Sequence, residues 1–367
     1  MTYNWQQKDW PDFKFETLEI EEELLAIAQE MGHVSGVLTA LPDNVQTETL
    51  LNIMVSEAIK TSAIEGEFLS RPDVMSSIKN KLGLNAEKLP VHDKKAQGAG
   101  ELMVAVRDSY EESLTEEMLF AWHKMLLRQS SRIAVGEWRS HPEPMQVVSG
   151  PIGKEKVHFE APPLSKVPEE MKRFINWFND TAPGAKNEIK KAPIRSAIAY
   201  LYFETIHPFE DGNGRIGRAI AEKALSQTIG RPVMLSLSQA IESDKNAYYD
   251  ALKAAQQKNE ITDWVKYFVH VIYNAQIAAK ELIDFTLKKV KFLDRYREKL
   301  NQRQLKVVLR MLESPDGFEG GMTARKYVSV TKTSKATATR DLQELVDLGI
   351  LISEGGGRSV HYYIRLD

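Results

Sequence analysis

The spacing of apolar residues is the strongest constraint on the fold of this 367-residue chain. Apolar residues recur every three or four positions in long segments such as "ETLEIEEELLAIAQEM" and "APIRSAIAYLYFETI", which places them along one face of an α-helix. One early segment differs, because in "MQVVSGPIGKEKVHFEAPP" two short apolar runs flank turn-forming residues. We therefore predict a mainly α-helical protein with one short β-hairpin at about residues 145–160.

Composition excludes several classes of function. The chain has 48 Lys and Arg against 51 Asp and Glu, so its net charge gives no general attraction to nucleic acid or to anionic membranes. The absence of cysteine excludes disulfides, thiol nucleophiles and thiolate metal sites. No segment has the pattern of a signal peptide or a membrane span. We expect a cytoplasmic protein with no membrane partner.

The sequence pattern changes from about Tyr296. Three short helical segments are followed by the glycine-tipped hairpin pattern "ISEGGGRSVHYYIRL", an order that resembles a small winged helix-turn-helix domain. In a DNA-binding domain of this kind, residues 334–348 would form the recognition helix, with exposed side chains at Lys335, Thr337, Thr339 and Arg340. However, Asp341, Glu344 and Asp347 in the same helix would repel phosphates. A scaffold or dimerisation role is equally consistent with the pattern.

The segment "HPFEDGNGRIGR" at residues 207–218 carries the densest chemistry. Gly212, Asn213 and Gly214 predict a tight turn that opens onto a helix. The N-terminus of a helix attracts anions through free backbone N–H groups and the helix dipole. Arg215 and Arg218 lie three positions apart and project from the same face, which suggests phosphate binding.

Two further residues of the same segment complete a catalytic hypothesis. Asp211 would be repelled by phosphates unless a divalent cation lay between them, so it implies Mg²⁺. His207 follows an apolar helix that Pro208 ends, at the mouth of the phosphate loop, where a general base belongs. The chain lacks GxSxG, GxxxxGK[ST] and HExxH motifs, so we favour phosphoryl or nucleotidyl transfer to a hydroxyl. Each residue taken alone is common in structural roles.

The segment resembles the signature HPFx[DE]GNGRxxR of the Fic family at every specified position. The resemblance covers most of residues 16–290, including "GEWRS" at 136–140 and the hairpin. It implies a protein adenylyltransferase, which transfers AMP from ATP to a Ser, Thr or Tyr hydroxyl of a target protein and releases pyrophosphate. On this resemblance His207 is the base, Asp211 holds magnesium, and the residues that bind the phosphates are Gly212, Asn213, Gly214, Arg215 and Arg218.

The resemblance also assigns regions and accessory residues. It divides the chain into an N-terminal helical region (1–110), a Fic helical catalytic core (111–295) and the winged-helix-like region (296–367). The hairpin would be a flap that aligns the target segment, with Val147, Val148 and Val157 as docking residues. Tyr248 and Tyr249 resemble the nucleotide-contacting aromatic pair of the family, although ordinary packing between helices accounts for them equally well. Homodimerisation is a further family-level expectation.

A second motif, "TSAIEG" at residues 61–66, lies at the end of a predicted helix over about 44–66. A carboxylate there faces the negative end of the helix dipole, which exposure to water would make tolerable. The motif also resembles the inhibitory pattern [ST]xxxE[GN] of Fic proteins, formed here by Thr61, Glu65 and Gly66. This resemblance implies that Glu65 pairs with Arg218 and blocks productive ATP binding. In some relatives the same glutamate positions water for AMP removal, so a reverse reaction stays open.

Two alternative functions remain at this point. Fic relatives also transfer UMP, phosphate or phosphocholine, and the motif does not name the transferred group. The chain could instead act as a DNA-binding regulator through residues 301–367, in which case its DNA affinity would fall steeply with salt.

Overall fold

The structure is a computed structural model that describes residues 2–131, 133–149, 156–313, 318, 320–356 and 359–366. It is mainly α-helical, with two antiparallel two-stranded sheets, so the predicted fold class is confirmed. The chain divides into two compact units: Met1–Gly36 with Gln46–Ala279, and Val37–Val45 with Lys280–Asp367. None of the helices described here has both the length and the hydropathy that crossing a membrane requires.

Most helices precede residue 297. Their bounds are α1 Glu21–Thr39, α2 Asp43–Ile64, α3 Arg71–Lys81, α4 Lys94–Asp108, α5 Glu116–Leu127, α6 Val167–Asp180, α7 Ala192–Ile206, α8 Asn213–Ile229, α9 Leu237–Ser243, α10 Lys245–Ala255 and α11 Thr262–Tyr296. Several begin at side-chain caps, for example Ser70 before α3 and Thr115 before α5, each of which accepts a hydrogen bond from a first-turn N–H.

Helix α7 is the centre of the first unit, and all of its residues are buried. One apolar cluster beside it contains Phe174, Phe203 and Phe209, and a second contains Tyr200 and Trp264. Its polar residues, such as Arg195 and Ser196, are buried as well, so protein encloses the helix on every side. The C-terminal end of α7, which precedes His207, is therefore held in a fixed position.

The predicted hairpin is present. Strand β1 (Gln146–Ser149) pairs antiparallel with β2 (Lys156–Glu160), with Val147 opposite Phe159 and Val148 opposite Val157. Phe159 is buried, whereas Val148 and Val157 are 47% and 43% exposed. The turn at 150–155 lies outside the described residues.

The second unit contains α12 Gln302–Met311, α13 Ala324–Thr331 and α14 Lys335–Asp347, then the hairpin of β3 Leu351–Glu354 and β4 His361–Ile364. Three helices followed by a hairpin is the order that the sequence predicts. Gly357 and Arg358 of the predicted hairpin tip lie outside the described residues. The interpretation of this unit as a winged helix-turn-helix stays a prediction.

One expectation about α14 is wrong. Asp341 does not lie on an exposed face where it would repel phosphates, because it is buried and accepts hydrogen bonds from Arg303 Nε at 2.9 Å and Tyr327 Oη at 2.8 Å. The charge of Asp341 is thus balanced inside the unit. Glu344, which is exposed, accepts a hydrogen bond from Gln304 Nε2 at 2.9 Å. Helical spacing alone does not reveal that Asp341 is buried in an ion pair with Arg303 of α12.

Candidate active site

His207 lies directly after α7, at its C-cap. Its backbone is left-handed (φ 50°), and its N–H donates to the Phe203 carbonyl at 3.0 Å, while Pro208 prevents the helix from continuing. The side chain is 13% exposed. Burial lowers the pKa of His207 to about 4. Near neutral pH the imidazole is therefore uncharged, which is the state that can accept a proton.

Asn213 fixes the loop between His207 and α8. Its side chain joins both backbone groups of Phe209, since Oδ1 accepts from the Phe209 N–H at 2.9 Å and Nδ2 donates to the Phe209 carbonyl at 2.8 Å. Phe209 itself is buried and stacks on His123 with ring centroids 4.0 Å apart. Gly212 supplies the left-handed turn (φ 84°) before α8. The Asn213 side chain is thus occupied by the loop, and its backbone N–H lies in the first turn of α8, where N–H groups have no partner within the helix.

Replacing Asn213 with alanine is expected to lower both stability and activity. Two hydrogen bonds are lost and buried backbone groups of Phe209 lose their partners, which costs about 1–3 kcal/mol of unfolding free energy. Asn179 makes the same pair of bonds to the Leu114 backbone, both at 2.9 Å, outside the 207–218 loop. Urea unfolding should show similar losses for N213A and N179A, and only N213A should lose activity. Equal activity of the two variants would contradict a role for the loop geometry.

The first turn of α8 faces the carboxylate of Glu65. A Cβ placed on Gly214 would lie 2.2 Å from Glu65 Oε1, so the carboxylate lies directly against the turn whose N–H groups have no partner within the helix. Arg218 Nη2 donates to the same Oε1 at 2.8 Å, and Arg218 Nε donates to Thr61 Oγ1 at 2.7 Å. The structure thus brings together Thr61, Glu65, Gly214 and Arg218, with a carboxylate where an anion would bind.

Both partners of the Glu65–Arg218 ion pair are charged. Although burial opposes ionisation of each, the Arg218 guanidinium lowers the pKa of Glu65, and the Glu65 carboxylate contributes to raising the pKa of Arg218. Arg218 is buried, and Glu65 is 31% exposed. A charge-assisted hydrogen bond in a mostly dry environment is stronger than a surface ion pair. Arg218 Nη2 is therefore occupied by Glu65, whereas Nη1 is buried with no hydrogen-bond partner among the described residues.

A second carboxylate that the sequence analysis missed binds the other arginine. Glu67 accepts a hydrogen bond from Arg215 Nη1, and it also binds Lys95 Nζ at 2.6 Å. Arg215 is buried and lies 3.4 Å from Asp211 Oδ1 through Nη2. Glu67 follows the helix-ending Gly66, and a second acid immediately beyond the inhibitory motif was the available signal. Arg215 and Arg218, the two arginines predicted to bind phosphate, are thus each paired with a carboxylate from the segment after α2.

Residues of α10 bind the end of α2. Lys245 Nζ donates to the Ile64 carbonyl, and Tyr249 Oη donates to the same oxygen at 3.4 Å, so a cation and a hydroxyl satisfy the C-terminus of α2. Tyr249 is 42% exposed, whereas Tyr248 is buried with its hydroxyl bonded to that of Tyr200. Of the two tyrosines expected to contact a nucleotide, only Tyr249 presents an accessible ring.

Asp211 has a donor set that suits magnesium. Its side chain is 55% exposed, and Oδ1 accepts from the Gly212 N–H at 2.6 Å. The Asp211 carbonyl is bonded to His123 Nε2 at 3.1 Å, which fixes the backbone. Mg²⁺ in nucleotide sites takes one or two protein carboxylates and fills its remaining positions with phosphate oxygens and water. One exposed, backbone-anchored carboxylate beside the predicted phosphate loop fits that requirement.

Arg139, in the "GEWRS" segment, was not assigned a role by the sequence analysis. It is buried, and its Nε donates to the His207 carbonyl at 3.1 Å. Its Nη2 donates to the Pro162 carbonyl, and its backbone N–H donates to the Pro208 carbonyl at 2.8 Å. Arg139 therefore ties the segment after β2 to the start of the 207–218 loop. A buried arginine that satisfies carbonyls leaves no periodic signal in the sequence.

Comparison with known proteins identifies two regions. Residues 113–225 match the model of the Fic/DOC family, and residues 3–84 match a domain of unknown function (DUF4172). The chain is 25% identical over 198 residues to Protein adenylyltransferase Fic of Nematostella vectensis, covering 53% of this chain and 42% of that protein. It is 23% identical to the protein of the same name from Culex quinquefasciatus, covering 72% and 47%. The chain thus spans less than half the length of these two relatives.

Solved structures share the fold. A Fic family protein from Desulfovibrio desulfuricans G20 matches with a TM-score of 0.53 at 18% identity, covering 94% of this chain and 96% of that one. A Fic domain containing signaling protein from Bacteroides thetaiotaomicron VPI-5482 matches with a TM-score of 0.53 at 19% identity, covering 71% and 97%. The helical architecture therefore matches that of Fic proteins.

Proposed function

We propose, from the premise that this chain contains a Fic domain, that it is a protein adenylyltransferase that transfers AMP from ATP to a hydroxyl side chain of a target protein. One observation carries the proposal: an uncharged, fixed histidine precedes a helix N-terminus whose two buried arginines are already bound to anionic groups. Carboxylates at these positions stand where phosphate oxygens would bind.

The residues of this chain account for the steps of such a transfer. His207 accepts the proton of the acceptor hydroxyl, and the oxygen attacks the α-phosphorus of ATP. The bond between that phosphorus and the bridging oxygen breaks, and pyrophosphate leaves with the electron pair. Arg215, Arg218 and the first-turn N–H groups of α8 orient the phosphates for in-line attack. A magnesium ion bound at Asp211 would neutralise part of the phosphate charge.

The protein rests in an inhibited state in this proposal. Glu65 and Glu67 are bound to Arg218 and Arg215, and phosphates would be repelled by these carboxylates at short range. Both acidic residues lie within three residues of the α2 C-terminus, so one local movement of this segment would free both arginines. Inhibition by two carboxylates is stronger than inhibition by Glu65 alone.

Replacing Glu67 with glutamine is expected to raise the transfer rate by about three- to tenfold, less than loss of Glu65. The uncharged amide binds Arg215 more weakly than a carboxylate does, by about 1 kcal/mol. Initial rates at low ATP concentration provide the measurement. The control is Glu242→Gln, which removes the 3.0 Å ion pair between Lys60 of α2 and α9 but touches neither arginine. An E67Q rate no higher than that of E242Q would contradict inhibition by Glu67.

The hairpin offers an edge for the target protein. Val148 and Val157, opposite each other in β1 and β2, are nearly half exposed. Exposed strand edges pair readily with extended peptides. This supports a docking role in which the target segment lies along the flap with its hydroxyl near His207.

The transferred group is tested by incubating the protein with Mg²⁺ and one donor at a time. The donors are ATP, UTP and CDP-choline, and intact-mass spectrometry detects self-modification or modification of added proteins. The proposal predicts a mass increase of one AMP with ATP. An adduct from UTP or CDP-choline alone, or an increase of one phosphate from ATP, would assign a different transferase activity.

A further inference from the structure

Glu204 is a buried acid one helical turn before His207. Its side chain is 5% exposed, and Oε2 lies 3.6 Å from His207 Nδ1. Its other oxygen, Oε1, is buried and has no hydrogen-bond partner among the described residues. Buried polar atoms are nearly always hydrogen-bonded. Glu204 thus has one carboxyl oxygen near the imidazole and a second that is buried without a partner among the described residues.

The backbone beside Glu204 fixes the orientation of the imidazole. In a continuing helix the Glu204 carbonyl would accept the N–H of residue 208, but Pro208 has none. The carbonyl is instead 3.4 Å from His207 Nδ1 and accepts from Gln256 Nε2 at 3.3 Å. A carbonyl only accepts hydrogen bonds, so Nδ1 carries the hydrogen. Nε2 is then the nitrogen with a lone pair for the acceptor proton.

Helix α8 leaves space for the Glu204 side chain. A Cβ on Gly217 would lie 2.6 Å from Glu204 Oε1 and 3.2 Å from Tyr200 Cε2. Contacts of 2.6 Å with carbon do not occur without displacement. The glycine between the two arginine positions is thus required for the carboxyl to lie where it does.

The charge state of Glu204 depends on its surroundings. Burial raises the pKa of Glu204 to about 8, the nearby Glu65 carboxylate adds to the increase, and Arg218 opposes it. Removal of Glu65 from the site would lower this pKa and favour the ionised form. The charged and titratable groups that act on the Glu204–His207 pair are Glu65, Arg218, Tyr200, Tyr248, Arg139 and Asp211.

We propose that Glu204 is a positioning residue for His207, which holds Nδ1–H through its carbonyl and carboxylate and stabilises the imidazolium formed when Nε2 takes the acceptor proton. This inference rests on the proposed function. It also gives the Glu65 carboxylate a second effect, because Glu65 occupies Arg218 and at the same time adds to the rise in the Glu204 pKa that burial causes. Withdrawal of Glu65 then frees Arg218 for phosphate. It also favours the ionised Glu204, which makes His207 a stronger base.

The first test uses Glu204→Gln in the Glu65→Gly background. We expect kcat to fall at least about tenfold, since removing the carboxylate that orients a general-base histidine is costly in other enzymes, and the KM for ATP to stay within about twofold. In E65G, kcat should rise with pH as Glu204 ionises, because a carboxylate exists above its pKa. E204Q should lack this rise. An unchanged kcat and pH profile would overturn the proposal.

Gly217→Ala provides an independent variant that keeps the carboxyl but displaces it. In the E65G background it should shift the rise of kcat with pH, although the Glu204 carboxyl is still present. If G217A and E204Q both lower the thermal midpoint but leave the pH profile of the remaining activity unchanged, Glu204 is only structural and the proposal fails.

A readout independent of activity separates this inference from the proposed function. Nitrogen NMR of histidine-labelled protein, with His207 assigned by comparison with H207A, reports which ring nitrogen carries the hydrogen. We expect the Nδ1–H form in the unmutated protein, and a change in the His207 nitrogen shifts in E204Q. An Nε2–H form, or identical shifts in E204Q, would overturn the inference. If these shifts change as expected while no donor modifies any protein, only the proposed function fails.

Discussion

Replacing Glu65 with glycine should raise the rate of AMP transfer by on the order of ten- to a hundredfold. The Glu65 carboxylate competes with phosphate for Arg218, to which it is bonded at 2.8 Å. A charge-assisted hydrogen bond of about 1.5–3 kcal/mol keeps only about 1–10% of molecules free to bind ATP productively. Removing it makes the competent state dominant. Transfer of label from ATP to the protein, followed over time, measures the rate.

Two matched variants make this result specific. Glu65→Asp keeps the charge near Arg218 and should stay mostly inhibited, whereas Glu65→Gln loses the charge and should fall between E65D and E65G. Arg218 keeps its bonds to Thr61 Oγ1 and the Thr61 carbonyl in all three, so the fold should persist. Equal rates for E65G and the unmutated protein would remove the inhibitory role of Glu65.

Replacing His207 with alanine in the E65G background should lower the rate of transfer by about 10²–10⁴-fold, the contribution typical of a general base. The imidazole is uncharged near neutral pH because burial lowers its pKa to about 4. Its removal leaves the acceptor hydroxyl without a group to take its proton. Single-turnover rates at saturating ATP separate this chemical step from nucleotide binding.

The control for H207A is His270→Ala. His270 is 60% exposed on α11 and bound to Glu23 at 2.8 Å, so its loss should leave transfer unchanged. ATP binding should also persist in H207A, since Arg215, Arg218 and the α8 N-terminus are retained. An H207A enzyme with more than about a third of the E65G rate would exclude His207 as the base.

The sequence predicts those parts of the site that are determined by residues close together in the chain. Helical spacing gives the fold class, and the turn residues at 212–214 give the junction between His207 and α8. The match of "TSAIEG" to the inhibitory pattern predicts the pairing of Glu65 with Arg218, which are 153 positions apart. That contact follows from the family resemblance and has no basis in helical periodicity.

Other contacts were beyond prediction because they depend on how distant helices pack. Glu67 reaches Arg215 across 148 positions; its position just beyond "TSAIEG" marks it as a candidate, but the spacing does not identify Arg215 as its partner. Arg303 draws Asp341 inward across 38 positions, which reversed our expectation for α14. In the sequence, Glu204 is one of several polar residues in a mainly apolar helix. Only the position of α8, with Gly217 against it, reveals its proximity to His207.

The fate of each phosphate of ATP is the most direct test of AMP transfer at this site. The E65G protein is incubated with Mg²⁺ and ATP radiolabelled at either the α- or the γ-phosphate, and the protein is then separated from free nucleotide. We predict that the α label remains on the protein, that the γ label leaves with pyrophosphate, and that the additional change His207→Ala abolishes retention. Retention of the γ label, or of the α label without His207, would contradict AMP transfer by this site.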